Sequence, residues 1–524
     1  MDRRSETRWA ALVGVISAAV TLALAEVAAL VLAPASSPLL AVGSLVIDLV
    51  PAWLKNLVID LFGTADKIVL LATLGLVVLV LAAVIGVLEY RRPPFGIVGL
   101  VLVGLIATLA VITRAEATTV WAVPTVLGMI GGVVVLRVAV DRLHRWSLAA
   151  TRAAEIRGAV SAPGSAAAVS RRGFLTVAVG AAAASVVVGV AARAMNAGTT
   201  AVNAVRAALK LPAPAVVAPP IPVGAQLDID GISALVTDNA DFYRIDTALQ
   251  VPVIDANQWK LRITGMVEEE IEISFEELLA LPLVETYVTL MCVSNEVGGQ
   301  LTGNAKWLGY PIRSLLERAR PLSGADVVLS TSQDGWTATT PLEVLQDTER
   351  NSLLAVGMNG EALPLEHGFP VRMVVPGLYG YVSATKWVVE LKVSTFAQES
   401  AYWTDRGWSA KGPVKTSSRI DVPSFGASIE PGTVAIAGVA WAQHVGIERV
   451  EVRVDNDPWQ EATLAEPIST DTWRQWFIEW EATSGDHVLE VRATNAEGDT
   501  QKEERVDVIP DGAEGWHTVQ VRVA

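Results

Sequence analysis

The chain contains a single cysteine, Cys292, within residues 289–299. This cysteine ends an apolar run that is typical of a β-strand, and Gly298 and Gly299 follow it shortly. A strand end that leads into a glycine-rich turn can present a thiolate to a ligand while the backbone approaches closely. Thiolates bind soft, thiophilic metals. A lone cysteine is more often a small buried hydrophobic side chain, so this segment alone is weak evidence for a metal site.

A second segment covers residues 367–377 and begins with His367. A lone histidine here is most simply a satisfied loop residue, but Arg372 follows five residues later, and residues 383–387 read Ser-Ala-Thr-Lys-Trp. Taken with the cysteine segment, this pattern resembles the molybdenum-cofactor domain of the sulfite oxidase family. The resemblance runs from about residue 238 to residue 393.

The resemblance implies a role for each matching residue. Cys292 would bind molybdenum through its thiolate and would be the catalytic residue. His367 and Arg372 would hold the phosphate of the pterin, and Ser383 and Lys386 would add further cofactor contacts. A phosphate buried in protein needs charge-assisted hydrogen-bond donors, which arginine and lysine supply.

Four further positions match cofactor-contacting positions of the family. Asn239, Tyr243 and Arg244 belong to the stretch that precedes the first strand and lines the pterin in relatives. Thr331 falls where a related bacterial enzyme has a threonine that contacts the cofactor. The resemblance therefore implies one molybdenum–molybdopterin cofactor per chain.

The chain departs from the sulfite-oxidising members at three places. Val356 stands where those members carry a tyrosine, residues 381–383 replace an arginine, and residues 244–247 read Arg-Ile-Asp-Thr in place of Arg-Asn-His. A sulfite dianion needs several positive groups, and these changes remove them. Residues 355–357 and 379–380 instead resemble the bacterial periplasmic protein-methionine-sulfoxide reductase subunit.

These features predict a two-electron oxygen-atom transfer on a small-molecule substrate. Reduction of an S- or N-oxide is the favoured direction, because the sulfite-type groups are missing. Oxidation of the sulfite oxidase or dehydrogenase type is the alternative. An alternative from another class is a non-enzymatic surface binding protein with a cofactor-free central domain. The enzyme would need a separate electron-transfer partner, either a cytochrome or a quinone-linked protein.

With 524 residues, the chain is long enough for about three structural units. Residues 1–195 are expected to form a transmembrane region, 196–224 a semi-rigid Pro/Ala-rich linker, and 225–412 the α+β molybdopterin-binding oxidoreductase domain. Residues 413–524 are expected to form an immunoglobulin-like β-sandwich without a disulfide. This last region also resembles the family's dimerisation domain, which implies a homodimer. Strands are expected at 259–263, 327–330, 371–375, 387–393, 434–439, 449–454, 473–480, 488–493 and 518–523, and helices at 274–280 and 311–318.

Five segments are apolar and long enough to cross a bilayer, namely 9–32, 68–88, 95–113, 120–140 and 174–194. The stretch 39–62 is also apolar, but it carries charges and Pro51, which indicates a helix at the membrane interface. The arginine clusters fall on one side if the N-terminus is cytoplasmic. Everything after residue 195 then lies on the extracytoplasmic side of the cell membrane.

Residues 170–175, Ser-Arg-Arg-Gly-Phe-Leu, resemble a twin-arginine export signal. That route carries folded proteins, so the motif predicts a cofactor that is inserted before export. The net charge of -15 argues against a nucleic-acid partner. Of the 5 histidines, none is expected inside a span, which argues against a membrane haem. The scarcity of charges within the spans argues against a transporter, and the membrane region is expected to be an anchor or a docking surface.

Overall fold

The computed structural model describes residues 3–32, 36–51, 54, 58, 61, 66–114, 117–157 and 202–524. The chain divides into two units, Met1–Ala201 with Thr247–Gln250, and Val202–Asp246 with Val251–Ala524. The predicted fifth span, 174–194, and the export motif at 170–175 lie outside the described residues.

The first unit is mostly helical over its described residues. Its helices are α1 Arg3–Leu32, α2 Pro38–Leu49, α3 Asp66–Arg91, α4 Phe95–Ile112 and α5 Ala122–Arg157, with a 3-10 turn at Thr119–Trp121 before α5. Four of the described segments are long and apolar enough to cross a membrane, namely Arg3–Leu32, Val69–Arg91, Phe95–Ile112 and Thr119–Ala149. They match the first four predicted spans. Helix α2 occupies the start of the stretch that was expected at the interface, and it ends before Pro51.

Helix α5 continues well beyond the predicted span at 120–140. His144 lies on this extension of the helix, between Arg142 and Arg145 and past the predicted span. A hydropathy window ends where polar residues begin, whereas the helical hydrogen bonding continues through them. The His144 ring stacks on Tyr90 at a centroid distance of 4.3 Å, and its Nε2 atom lies 3.1 Å from the Tyr90 carbonyl oxygen.

Helices α1 and α3 approach closely through two glycines. A Cβ atom at Gly86 would lie 2.2 Å from the carbonyl oxygen of Ala10, and one at Gly14 would lie 1.9 Å from that of Ala82. Small residues four apart on facing helices allow this backbone contact within a membrane bundle. The crossing therefore depends on the absence of side chains at Gly14 and Gly86.

The second unit begins with two β-sheets and three short helices. One sheet has the order β2-β1-β10-β5-β6, and the other has the order β3-β4-β7-β8, with β9 paired to β7. The strands are β1 Lys260–Gly265, β2 Ile271–Ser274, β3 Val284–Met291, β4 Thr302–Pro311, β5 Val327–Ser332, β6 Thr337–Pro341, β7 Leu353–Met358, β8 Glu361–Ala362, β9 Arg372–Val374 and β10 Val388–Ser394, and the helices are α6 Phe275–Leu279, α7 Ile312–Ala319 and α8 Leu342–Gln346.

The predicted helix starts follow local sequence signals. The Ser274 hydroxyl accepts a hydrogen bond from the Glu277 amide, and the Glu277 carboxylate accepts one from the Ser274 amide. This reciprocal pair is a capping box. Helix α7 begins directly after Pro311. The predicted strands in this region correspond to β1, β5, β9 and β10 within one or two residues.

The C-terminal region contains two further sheets, with the orders β11-β13-β17-β16 and β12-β19-β18-β14-β15. Its strands are β11 Ser417–Val422, β12 Ser428–Ile429, β13 Gly432–Trp441, β14 Ile447–Val454, β15 Gln460–Glu461, β16 Thr463–Leu464, β17 Arg474–Ala482, β18 Gly485–Asn495 and β19 His517–Val523. The sheets enclose one core that includes Ile436 and Trp476 from one sheet and Val450 and Leu489 from the other. Trp441 and Trp473 also pack into the core of the preceding sheets. The C-terminal strands therefore stabilise the region that precedes them.

The described part of the predicted semi-rigid linker, residues 202–224, pairs in part with a neighbouring strand. Residues 202–208 are helical, and Ala215 and Val216 hydrogen-bond to the edge strand β3. The Ala215 amide donates to the Leu283 carbonyl oxygen at 2.7 Å, and the Glu285 amide donates to the Val216 carbonyl oxygen at 2.8 Å. An edge strand offers unpaired backbone groups, and the residues between the prolines retain the groups that pair with them.

Candidate active site

Cys292 follows the last residue of β3 and opens a tight loop that ends at β4. Its amide donates to the Leu301 carbonyl oxygen at 2.9 Å, and its own carbonyl oxygen accepts from the Asn295 amide at 3.0 Å. The Asn295 side chain accepts from the Leu301 amide at 2.7 Å. The backbone around the cysteine is therefore fixed by hydrogen bonds across the loop.

Cys292 is half-buried as a residue, and burial raises the pKa of its thiol. Two hydrogen bonds from Ser294, one from its amide and one from its hydroxyl, oppose the rise in pKa. Sequence reasoning missed Ser294, whose only signal is its position two residues after the cysteine. A metal would have to displace the thiol proton in order to bind.

Arg372 is a buried cation whose described partners are uncharged. Its guanidinium donates to the carbonyl oxygens of His367 at 3.2 Å, Met373 at 3.3 Å and Ala384 at 3.5 Å. It also lies over the Trp307 ring, 5.1 Å from the centroid. Burial lowers its pKa to about 10. Among the described residues no carboxylate forms an ion pair with Arg372, so its charge is available to an anionic ligand.

Two further cations share one carboxylate. The Lys386 ammonium donates to Asp246 at 2.6 Å and to the Glu366 carbonyl oxygen at 3.0 Å. Arg244 Nε donates to the same oxygen of Asp246 at 2.9 Å. Burial lowers the pKa of Lys386 to about 8, although Asp246 acts in the opposite direction. With Arg372, the cluster holds three cations and one anion.

Tyr243 interacts electrostatically with both the cysteine and the cationic cluster. Burial is the main cause that raises the pKa of its hydroxyl, and Cys292 and Arg372 both act on it electrostatically. The neighbouring Phe242 ring packs 5.5 Å from the His367 ring and 5.8 Å from the Trp307 ring, centroid to centroid. Phe242 thus joins segments that are more than 100 residues apart in the sequence, since it packs against His367.

His367 links the same segments through its ring. Its Nε2 atom lies 3.0 Å from the Asn239 carbonyl oxygen. Burial, followed by the charge of Arg372, lowers the pKa of His367 to about 4. The imidazole is therefore neutral at pH 7 until an anion binds nearby and stabilises its charged form.

The side chains of Asn239 and Ser383 are engaged with the protein itself. Asn239 donates to Glu361 at 2.6 Å and accepts from Asn359 at 2.9 Å. The Ser383 hydroxyl donates to the Tyr379 carbonyl oxygen at 2.9 Å and thereby closes the turn at residues 380–382. Both residues border the cluster and fix its backbone.

Thr331 is not brought into this cluster by any described contact. It lies on β5, opposite Glu390 of β10. The fully buried hydroxyl of the preceding Ser330 lies 2.6 Å from the Thr385 hydroxyl, next to Lys386. Successive strand residues point to opposite faces, so Thr331 points away from the face that carries these groups. Ser330 was missed in the sequence because it has neither a charge nor a motif to mark it, whereas Thr385 lies within the motif at 383–387 but was given no role.

A second tyrosine, Tyr379, also lies near the cysteine. It is 3% exposed, and burial raises the pKa of its hydroxyl, with a smaller contribution from Cys292. The Lys415 amide donates to this hydroxyl at 3.4 Å. Val356, which replaces the tyrosine of sulfite-oxidising relatives, is fully buried in β7. Two neutral hydroxyl groups, those of Tyr243 and Tyr379, therefore lie near the thiol.

The residues present fit a phosphate-bearing pterin with a thiophilic metal. The excess of two positive charges at Arg372, Lys386, Arg244 and Asp246 needs an anion. Cys292 offers a soft ligand that interacts electrostatically with Tyr243.

Comparison with known proteins agrees with this geometry. Residues 248–403 match the family model described as the oxidoreductase molybdopterin binding domain. Mitochondrial sulfite oxidase of Mus musculus is 30% identical over 328 residues, which cover 52% of this chain and 59% of that protein. The Bacillus subtilis oxidoreductase YuiH is 35% identical over 161 residues, which cover 30% of this chain and 76% of that protein.

A solved structure shows the same fold. The sulfane dehydrogenase SoxCD from Paracoccus pantotrophus superposes with a TM-score of 0.50 and 23% identity, over 56% of this chain and 82% of that chain. The chain spans about 59% of the length of the first mitochondrial relative. Together these matches establish the family and its molybdenum–molybdopterin cofactor. The chain belongs to the sulfite oxidase family of molybdopterin-dependent oxidoreductases.

Proposed function

We propose that this chain reduces the S- or N-oxide of a small molecule by two-electron oxygen-atom transfer outside the cytoplasm. One observation carries the proposal: the single thiol interacts electrostatically with Tyr243, which also interacts with Arg372, a buried cation that has no carboxylate partner among the described residues. When bound, the cofactor would exchange two electrons and one oxygen atom with the substrate.

Cys292 and the residues of the cationic cluster take separate roles in this proposal. Cys292 is the metal ligand and the catalytic residue. Arg372, Lys386 and His367 hold the pterin phosphate, and Arg244 adds positive charge through the shared Asp246. Asn239 and Ser383 position the backbone around them, and Tyr243 borders both metal and pterin. Thr331 is left outside the proposed set because β5 turns it to the other face.

The charges around the thiol favour a neutral substrate. Burial raises the pKa of Cys292 and the hydrogen bonds from Ser294 lower it. No cation among the described residues acts on this pKa. Tyr243 and Tyr379 keep their protons at neutral pH because burial raises the pKa of each hydroxyl. Neutral hydroxyl donors suit the dipolar oxygen of a sulfoxide or N-oxide, whereas a sulfite dianion needs positive groups. The oxide oxygen would leave as water, with two protons and two electrons.

The electrons would come from a separate partner, either a cytochrome or a quinone-linked protein. The long apolar helices would anchor the chain in the cell membrane, with the N-terminus in the cytoplasm and the second unit outside. The arginine clusters and the motif at 170–175 support this orientation. The C-terminal sheets would form an immunoglobulin-like domain that pairs two chains in a homodimer.

The first experiment is a measurement of molybdenum by plasma mass spectrometry on full chain purified from its native membrane. We expect about one metal per chain in the wild type and none in Cys292→Ser. Thr331→Val is the matched control, because its side chain faces away from the site, and it should retain its metal. A folded wild type without metal, from molybdenum-replete cells, would contradict the proposal and favour the non-enzymatic alternative.

The direction of reaction needs a separate assay. Dimethyl sulfoxide and trimethylamine N-oxide would be tested with a reduced viologen dye, and sulfite with ferricyanide as the electron acceptor. We expect turnover with an oxide and little with sulfite. The reverse pattern would replace the proposed direction by sulfite-type oxidation.

A further inference from the structure

The loop that carries Cys292 is held by a residue of the C-terminal sheets. Arg419 lies on β11 and is 4% exposed. Its Nη1 atom donates to the Gly299 carbonyl oxygen at 2.7 Å. A charged donor to a buried carbonyl oxygen is among the stronger hydrogen bonds in a protein. Arg419 therefore fixes the far end of the loop against the C-terminal region.

Arg419 is itself fixed by Asp421 of its own strand and by Ser233 of an earlier segment. Its Nε atom donates to Asp421 at 2.6 Å, and its Nη2 atom donates to the Ser233 hydroxyl at 2.8 Å. The Ser233 amide donates to the other oxygen of Asp421 at 3.0 Å. The side chains of the ion pair are only 5% and 7% exposed. A pair with so many fixed partners has little freedom to move away from the loop.

The adjacent residue of the loop is held by a second C-terminal side chain. A Cβ atom at Gly298 would lie 2.2 Å from the His517 ring, and Gly298 has a φ of +81°. His517 Nδ1 accepts from the Ile420 amide at 3.0 Å, which fixes the ring. Glycine is required here both by the backbone angle and by the close ring.

The hydrogen bonds of the loop connect these contacts to the cysteine. The Glu296 carbonyl oxygen accepts from the Gly299 amide at 2.9 Å. The Asn295 amide donates to the Cys292 carbonyl oxygen, and the Asn295 side chain accepts from the Leu301 amide. Displacement of Gly299 would therefore shift the backbone of Cys292 through a few linked bonds.

The strand before the cysteine is held by the same region. The Thr289 hydroxyl accepts from the Trp473 amide at 2.8 Å. The Gln443 side chain donates to the Thr289 carbonyl oxygen at 3.1 Å, and the Thr289 amide donates to the Asp471 carbonyl oxygen at 3.0 Å. The C-terminal region thus holds Cys292 from the strand side through Thr289 and from the loop side through Arg419.

We infer that Arg419 is a positioning residue that sets the place of the Cys292 sulfur through the Gly299 carbonyl oxygen. The C-terminal sheets are then a part of the metal site as well as a separate structural region. The consequence for the metal rests on the proposed function, whereas the hold on the loop does not.

Because the chain has 1 cysteine, maleimide labelling of the full chain reports on Cys292 alone. The rate would be measured on cofactor-free protein from cells that cannot make the pterin. We expect Arg419→Met to label about tenfold faster than the wild type, because the loop opens more often without its charged anchor. Arg419→Lys keeps the charge and should label at an intermediate rate.

Arg453→Met is the matched control for this labelling experiment. Arg453 is a partly buried arginine of the same sheets, paired with Glu490 at 2.5 Å and lying over Trp459. It makes no described contact with the loop, and its variant should label at the wild-type rate. Equal rates in the wild type and the folded Arg419 variants would overturn the inference, as would equal acceleration in the Arg453 variant. If Arg419→Met does not fold, the comparison of Arg419→Lys with the control decides.

The metal-loaded enzyme gives a second readout. Electron paramagnetic resonance of the half-reduced metal senses the metal–sulfur geometry, so Arg419→Lys should shift this signal and Arg453→Met should not. An unchanged signal in Arg419→Lys would contradict the effect on the metal. Absence of metal from the wild type would contradict the proposed function but would leave the labelling result intact.

Discussion

Lys386 and Asp246 form a buried ion pair in which the ammonium nitrogen lies 2.6 Å from the carboxylate oxygen, across a sequence separation of 140 residues. The two side chains are 10% and 5% exposed. The same carboxylate oxygen accepts from Arg244. Asp246 therefore assembles the cationic cluster before any anion binds, and it leaves positive charge in excess.

Removal of this carboxylate tests its structural role. Asp246→Asn should lower the free energy of unfolding of the cofactor-free protein by about 3 kcal/mol, because Lys386 would remain buried without its partner. Denaturant titration followed by tryptophan fluorescence measures the change. Glu272→Gln breaks the exposed Lys260–Glu272 pair, whose side chains are 58% and 51% exposed, and should leave the free energy of unfolding close to that of the wild type. A similar loss of unfolding free energy in both variants would contradict the structural role of Asp246.

Arg372 should affect cofactor retention far more than folding. Arg372→Met removes a buried charge with no described carboxylate partner, so the cofactor-free variant should stay within about 1 kcal/mol of the wild type in stability. Its molybdenum and pterin content should fall at least about tenfold, since the charged donor to the phosphate is lost. Metal analysis and pterin fluorescence measure the content. A variant that unfolds but keeps its cofactor would show a structural role instead.

The helix crossing in the first unit gives a prediction for the membrane region. Gly86→Leu should separate α1 from α3, because its Cβ atom would lie 2.2 Å from the Ala10 carbonyl oxygen. Gly75 lies on the same helix with nothing within 4 Å of its Cβ position, so Gly75→Leu is the control. Thermal aggregation in detergent would show a lower midpoint only for Gly86→Leu. Equal midpoints would argue against the close crossing.

Acid should weaken the second unit through His517. Burial, followed by the charge of Arg419, lowers the pKa of His517 to about 4 in the folded state, against 6.5 for an unperturbed histidine. As the pH falls from 6.5 towards 4, His517 becomes protonated in the unfolded chain but stays neutral in the folded chain. The stability of the wild type relative to His517→Asn should therefore fall across this window, by at most about 3 kcal/mol. Denaturant titrations at several pH values measure the difference.

His487 supplies a control of opposite sign. Burial acts to lower its pKa, but hydrogen bonds to Asp455 and to the Thr483 carbonyl oxygen outweigh this effect and raise it. The stabilisation from His487 is fully present below pH 6.5 and is lost as the pH rises through the folded pKa. The difference between the wild type and His487→Asn should therefore grow on acidification. Slopes of equal sign for the two histidines would contradict the assignment.

The sequence by itself determined the features that depend on neighbouring residues. Apolar runs predicted the first four long helices, and Ser274 with Glu277 predicted the start of α6. The motif around Cys292 and the one from His367 to Lys386 indicated the family and its cofactor. These features could be predicted because periodicity, capping and short motifs act over a few residues.

The tertiary structure decided which of these residues meet. Tyr243 interacts electrostatically with both Cys292 and Arg372, Thr331 lies opposite Glu390 on β5, and Val216 pairs with Val284 of β3. Arg419 reaches Gly299 across 120 residues of sequence. Such contacts depend on how strands align and on which polar groups burial leaves without water. No local pattern records that outcome, because it is fixed only when distant segments pack around a common core.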